Sequence, residues 1–347
     1  MRRTTRLLAG LAALVLAATG CAGDRPGPAP AAGASAGTAG GAGGAPPQGT
    51  GAPTTVTTAL GTARVPAHPD RVVTLGWGSQ DAALALGVVP VAMEKFPSAA
   101  PSGYLPWDEP LLRGQRPALL ETTSEIPYEQ IARLRPDVVL AVYSGLTAEQ
   151  YATLSKIAPT VAYPARPWST SWPDQLRLVG QALGRSAEAA RLTERTRASV
   201  AAAAAAHPEF RGRTAAFGTA QQAGSYYLYR TDDPRMQLLA ELGFDLDRTA
   251  DTVAGGTAST TFATSYSIEQ LPTLRADVLV AWYPDAAAAR AVAAQPTFRR
   301  IGAVGTGAYL AITDPQVTFA ASAPNVLSIP WLLDRYVPQL AAAVARA

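Results

Sequence analysis

The sequence predicts an α/β protein of two similar Rossmann-like lobes with parallel sheets, joined by one long rigid helix, with a ligand cleft between the lobes. One observation behind this is a repeat. PYEQIARLRPDVVLAVY at 127–143 and SIEQLPTLRADVLVAWY at 267–283 lie 140 residues apart and match at eight of seventeen positions. Each copy reads as a short amphipathic helix opened by a glutamate, a tight turn at Arg-(Pro/Ala)-Asp, and a Val-rich run ending in Tyr. Such an apolar run suits a parallel strand buried on both faces. A second observation is the stretch 186–206, which has no Gly or Pro and carries a run of alanines. Alanine supplies intrinsic helicity without demanding a partner on every face, and one uninterrupted helix there would be about 30 Å long. Thirdly, both repeats follow a β-loop-α-β pattern. Two lobes enclose a cleft, and such clefts hold small ligands.

The chain opens with a basic start (Arg2, Arg3, Arg6), an apolar core from Leu7 to Ala18, and small residues before Cys21. This is the pattern of an export signal over 1–20, too short for a membrane span; Arg2-Arg3 alone is a poor twin-arginine motif, and Sec and Tat export stay open. Cys21 is the only cysteine of 347 residues, so it has no partner within the chain. Ala18-Thr19-Gly20-Cys21 resembles the lipobox of bacterial lipoproteins, which implies lipid attachment at Cys21 and anchoring to the outer face of the cytoplasmic membrane. Residues 21–56 are almost wholly Gly, Ala, Pro, Ser and Thr, a composition that buries too little apolar surface to offset ordering entropy and reads as a flexible tether. The formal net charge of +3 falls to 0 once Arg2, Arg3 and Arg6 leave with the signal, so the charge argues neither for nucleic acid nor for an anionic surface, and no nucleic-acid partner is expected.

The remainder divides into an N-terminal lobe at 57–185, the joining helix at 186–207 and a C-terminal lobe with a closing helix at 208–347. The first lobe reads as a strand at 71–75, a loop at 76–80, a helix at 81–86 stopped by Gly87, and a strand resuming at 88–91. An amphipathic helix at 172–183 precedes the joining helix. The second lobe reads as a strand at 214–217, a loop from Gly218 to Gly224, a strand at 226–229, and a helix capped by Asp233-Pro234 and stopped by Gly243. A closing helix is expected within 324–346.

Ligands bind at the carboxyl ends of parallel strands in such folds. Loops there carry Trp77 and Gln80, Tyr143, Gln222, and Trp282 and Tyr283; connecting loops add Tyr104 and Trp107, Arg166 and Trp168, Tyr227 and Arg230, and Phe319. Aromatic faces offer rigid contact area and Arg supplies charge to an anionic or carbonyl-rich ligand. Ordinary packing is the alternative for each residue singly, so the set is offered as a set.

Direct metal binding fits poorly, because neither His68 nor His207 sits in a cluster with ligand spacing. Gly76-Trp-Gly-Ser-Gln80 follows a strand, but Trp77 and Asp81 stand where a nucleophile elbow needs glycine. There is no phosphate-binding GxxxxGK[ST] and no dinucleotide fingerprint. No catalytic residue and no enzyme activity are expected; a cell-surface α/β hydrolase is the rival from another class.

Pro66-x-x-Pro69-x-Arg71-Val-Val, Leu86-Gly87-Val88-x-Pro90-Val91, Glu129-x-Ile-x-x-Leu-x-Pro136-Asp137-Val-Val and Leu154-x-x-Ile157-Ala158-Pro159-Thr160, in this order, resemble the iron-siderophore and vitamin B12 substrate-binding lipoproteins of ABC importers. Segments 298–309 and 322–336 fit the same pattern. The resemblance implies two lobes on one long helix, little hinge motion, and capture of a ferric siderophore for delivery to the permease. Cobalamin or haem on the same fold is the alternative, with a tyrosine such as Tyr143 or Tyr227 the available haem ligand. It further implies that Glu129 and Glu269 dock onto arginines of the permease dimer, since Arg binds carboxylate in a bidentate fork; an acidic residue in a first helical turn also has a simpler use, stabilising the helix by ~0.3–1 kcal/mol. No cofactor is expected, iron being carried only inside the siderophore, and the receptor is expected to be a monomer. With only Arg166 and Arg230 standing out as basic groups, a hydroxamate or mixed chelate fits better than a strongly anionic catecholate.

Overall fold

The computed structural model describes residues 52–222, 224–252, 257–258 and 262–347; the expected signal, Cys21 and most of the tether lie outside them. The described chain starts with an antiparallel hairpin, β1 (Thr54–Thr58) and β2 (Gly61–Val65), whose first strand begins inside the segment read as tether. Next come β3 (Val72–Thr74), α1 (Ser79–Ala85), β4 (Ala92–Glu94), β5 (Ala118–Leu120), α2 (Tyr128–Arg133), β6 (Val138–Leu140), α3 (Ala148–Ser155) and β7 (Thr160–Val161). The five strands form one all-parallel sheet, ordered β5-β4-β3-β6-β7. Val72, Val138 and Leu140 pack on one side of it, and Val73 and Val139 on the other, as a sheet buried on both faces requires.

Two helices follow, α4 (Trp172–Ala182) and α5 (Ser186–Ala206). The long helix buries Ala189, Thr196 and Val200, one stripe at helical spacing, and touches α4 of the first lobe and elements of the second.

The second lobe holds β8 (Thr214–Gln222), β9 (Ser225–Tyr229), α6 (Pro234–Glu241), β10 (Asp245–Leu246), β11 (Thr257–Ala258), β12 (Ala263–Ser267), β13 (Val278–Trp282), α7 (Ala286–Ala293), α8 (Gly302–Thr306) and β14 (Tyr309–Ile312). Its sheet runs β11-β12-β9-β8-β13-β14, with β10 also on β8. β10, β13 and β14 are parallel members, while β9, β11 and β12 add an antiparallel flank. Val278 and Val280 pack into one core and Leu279 and Ala281 into the other, so β13 repeats the two-sided burial of β6. The chain closes with α9 (Pro315–Ser322) and α10 (Ser328–Val344).

Three local expectations shift. Pairing resumes only after Pro90, which has no N–H to give: the Val91 N–H donates to the Val72 carbonyl at 2.8 Å, and the strand proper is 92–94. The expected loop from Gly218 is strand up to Gln222, turning at once into β9. The second copy of the repeat also lacks the α-helix of the first: Glu269 lies in a turn and Leu271–Thr273 make one 3₁₀ turn. Pro272 accounts for this, since it removes a donor and disfavours helical backbone in the residue before it.

Candidate functional site

The loop after β3 carries Trp77. Gly76 has φ 71°, and a Cβ there would lie 2.4 Å from the Tyr143 carbonyl oxygen, so this close approach requires glycine. The Trp77 N–H donates to that same carbonyl at 2.9 Å, tying the loop to the end of β6. Trp168 has φ 55°, uncommon for a residue with a side chain and a mark of functional sites. Its N–H donates to the Ser144 carbonyl at 3.1 Å. Its indole sits over Gly145, where a Cβ would come within 2.4 Å of Nε1.

These loops build an aromatic wall. The Trp77 ring centroid is 5.6 Å from Trp168 and 4.9 Å from Phe319; Tyr143 meets Trp168 edge-on at 5.6 Å. Phe319, on α9, also contacts Phe96 at 4.5 Å and Trp107 at 6.3 Å, and Trp107 contacts Trp331 at 5.0 Å. All these separations suit attractive aromatic pairs. Trp77 and Trp168 stay partly exposed, whereas Trp107, Tyr143 and Phe319 are buried. The Tyr143 hydroxyl donates to the Ser322 carbonyl at 3.4 Å. Burial pushes its phenol well up, with nearby Arg235 opposing.

From the second lobe, Trp282 donates through Nε1 to the Tyr229 hydroxyl at 2.8 Å, and the Arg235 guanidinium lies 4.1 Å above the Tyr229 ring. Arg235 Nη1 donates to both carboxylate oxygens of Asp233, at 3.1 and 2.9 Å. Both residues are buried; burial raises the Asp233 carboxyl and Arg235 pulls it back. Nearer the surface, Arg166 of the first lobe pairs with Asp232 of the second, and Arg230 Nε lies 3.7 Å from the same carboxylate. Tyr227 is half-buried against the same core. The structure therefore brings together Trp77, Trp107, Tyr143, Trp168 and Phe319 as one wall, and Arg166 with Arg230 around one carboxylate.

Other expected site residues lie elsewhere. Tyr104 packs with Leu84, Met93 and Leu112, its hydroxyl donating to the Pro117 carbonyl at 2.9 Å. Tyr283 is on the opposite face of its sheet, where it accepts from the Tyr309 hydroxyl at 2.7 Å; successive strand residues alternate faces, so Trp282 and Tyr283 cannot share one. Gln80 is fully buried on α1. The Gln222 side chain lies outside the described residues. Glu129 and Glu269 are exposed, Glu129 3.7 Å from Arg133. Ser79, the residue a hydrolase would need, is fully buried and its Oγ accepts from the Val142 N–H at 3.2 Å. Among the described residues, no group of three or more His, Cys, Asp or Glu could hold a metal ion. A separate cavity of ≈ 270 Å³ lies against α1, α5 and the segment before α10, lined by Ala85, Leu192, Arg195 and Leu327 among others, and none of the wall's rings faces it.

The family described as periplasmic binding protein matches residues 72–315. The chain belongs to that family. A periplasmic binding protein of similar structure is the iron uptake ABC transporter substrate-binding protein PiaA of Streptococcus pneumoniae TIGR4, solved in complex with ferrichrome: 30% identity, TM-score 0.75, covering 85% of this chain and 99% of that one. A periplasmic solute binding protein from Mycobacterium smegmatis has 29% identity and a TM-score of 0.72 over 84% of this chain and 99% of that one. In sequence, the chain is 35% identical to the probable siderophore-binding lipoprotein YfiY of Bacillus subtilis over 38% of its own length and 39% of that protein's.

Sequence reasoning missed Phe96, Asp232, Arg235 and Trp331. The Asp233-Pro234 cap was legible, and it concealed Arg235: a residue in a first helical turn gives no sign that its guanidinium folds back onto Asp233 and a tyrosine.

Proposed function

We propose that this periplasmic binding protein is the extracytoplasmic receptor of an ABC importer, capturing a ferric siderophore in the interlobe cleft and handing it to the permease without chemistry on the ligand. The observation that carries this reading is the wall of Trp77, Trp168 and Phe319, with Tyr143 and Trp107 behind it, together with Arg166 and Arg230 flanking Asp232. An apolar aromatic surface beside two guanidiniums and one carboxylate suits a chelate that wraps its metal in carbonyl-rich arms and carries little net charge. The ferrichrome complex of PiaA supports the ligand class, and the B. subtilis lipoprotein supports lipid attachment at Cys21 and a place outside the cytoplasmic membrane. Iron travels as part of the cargo, with no cofactor of the protein's own.

Delivery rests on Glu129 and Glu269, one on each copy of the repeat. Because Glu269 lies in a turn, stabilisation of a helix dipole does not explain it, and a carboxylate presented for bidentate pairing with a permease arginine does. Titration of intrinsic tryptophan fluorescence with ferric siderophores, cobalamin and haem tests the reading. Saturable quenching by a ferric chelate, absent for its iron-free form, is expected. Quenching by cobalamin or haem alone would replace the ligand class, and silence with all of them would remove it.

A further inference from the structure

Beneath the aromatic wall lie two carboxyl groups that ligand contact does not explain. Asp81 is on α1, one turn after Trp77, and Asp108 follows Trp107; both are fully buried. Each acts on the proton affinity of the other. Trp107 donates through Nε1 to Asp81 Oδ1 at 2.6 Å, and Asn325, from the segment between α9 and α10, approaches the same carboxylate. Asp81 Oδ2 and both Asp108 oxygens have no N–H or hydroxyl partner. Two buried carboxylates in contact cannot both be ionised without a cation. The groups acting on the pair are Trp107, Asn325 and the backbone of α1, none of them cationic. Neighbouring Glu109 turns to the surface, 3.6 Å from Arg116, and Gln175 of α4 donates to the Thr170 carbonyl.

We propose that Asp81 and Asp108 are positioning residues for the ligand cleft: protonated Asp108 donates a hydrogen bond through its carboxyl O–H to the Asp81 carboxylate, and Asp81 holds the Trp107 indole in the wall against Phe319. This deepens the receptor reading and rests on it. The hydrogen bonds of Trp107, Asn325 and Asp108 favour Asp81 as the anion, while burial and the Asp81 charge keep Asp108 protonated. An indole donating to a charged acceptor is held about twice as strongly as one donating to a neutral acceptor. Burial raises Asp81 to about 6, so acidification past that point neutralises the acceptor and loosens Trp107. At alkaline pH, Asp108 gives up its proton and the two charges repel.

The test uses ferrichrome as probe on the full chain, with 5-fluorotryptophan incorporated for ¹⁹F NMR without ligand. Affinity should follow a bell-shaped pH profile, weakening roughly fivefold from about pH 7 to about pH 5. Asp81→Asn should abolish the acid limb. Asp108→Asn, which keeps a donor, should retain neutral affinity and lose only the alkaline limb, whereas Asp108→Leu should weaken binding at every pH. In the unliganded protein the Trp107 resonance, assigned with Trp107→Phe, should titrate near the Asp81 midpoint while that of Trp282 stays fixed. Failure of ferrichrome to bind at any pH would rule out this chelate as the cargo and leave the NMR titration of the unliganded protein to judge the pair. A Trp107 resonance flat across the range would overturn the pair's role, as would one that moves with sodium or calcium at constant pH, which would put a cation between the carboxylates.

Discussion

Arg166 and Asp232 pair between the two lobes, joining residues 66 apart in sequence, and Arg230 shares the same carboxylate from 3.7 Å. Asp232 thus sits between two guanidiniums. Its replacement by alanine removes the carboxylate that both guanidiniums share. Exposed pairs are worth ~0.2–1 kcal/mol, so affinity for an anionic ferric chelate should rise by up to about fivefold, with little change for a neutral trihydroxamate. Parallel fluorescence titrations check this, and an equal change for both chelates would refute it.

Gly145 leaves the room that the Trp168 indole fills, with 2.4 Å between a would-be Cβ and Nε1. Gly145→Ala should push Trp168 out of the wall at about 1–3 kcal/mol. Ligand affinity should drop while far-ultraviolet circular dichroism stays unchanged; unaltered affinity would take Trp168 out of the site.

Asp233 neutralises buried Arg235 and also accepts the Arg235 N–H at 2.9 Å as the cap of α6. Asp233→Ala removes both and strands a buried guanidinium, a change costing ~3–5 kcal/mol. Urea unfolding should show that loss at unchanged slope.

Burial also makes stability depend on pH. Asp81 rises from 3.8 to about 6 on folding, and Asp108 and Glu94 rise too, burial being the leading cause for each. A carboxyl raised on folding contributes stability that is fully present below its unfolded value and lost as pH climbs through its folded value. For Asp81 that window runs from 3.8 to about 6. Thermal midpoints should therefore fall as pH rises through that window and fall further as Asp108, held higher still, ionises, and Asp108→Asn should recover ~2–4 °C at alkaline pH. A wild-type midpoint still climbing there would contradict the assignment.

Replacement of both Glu129 and Glu269 by arginine should leave ligand titrations unchanged and abolish uptake through the permease, because like charges would face its arginines. Normal uptake by that double variant would place docking elsewhere.

What the sequence by itself determined was local. Asp233-Pro234 caps α6, the alanine-rich stretch without Gly or Pro is one helix from Ser186 to Ala206, and the apolar runs after Asp137 and Asp277 are strands. Each rests on interactions within a turn or a strand, where side-chain type dictates backbone choice. Which wall residues converge was decided by the tertiary fold. Tyr143 reaches Ser322 across 179 residues and Asp81 receives the Trp107 indole across 26, and no local pattern encodes such meetings. Trp282 and Tyr283 show the limit most directly: adjacent at the end of β13 and both aromatic, they go to opposite faces, and only the packing on each face set Trp282 against Tyr229 and Tyr283 against Tyr309.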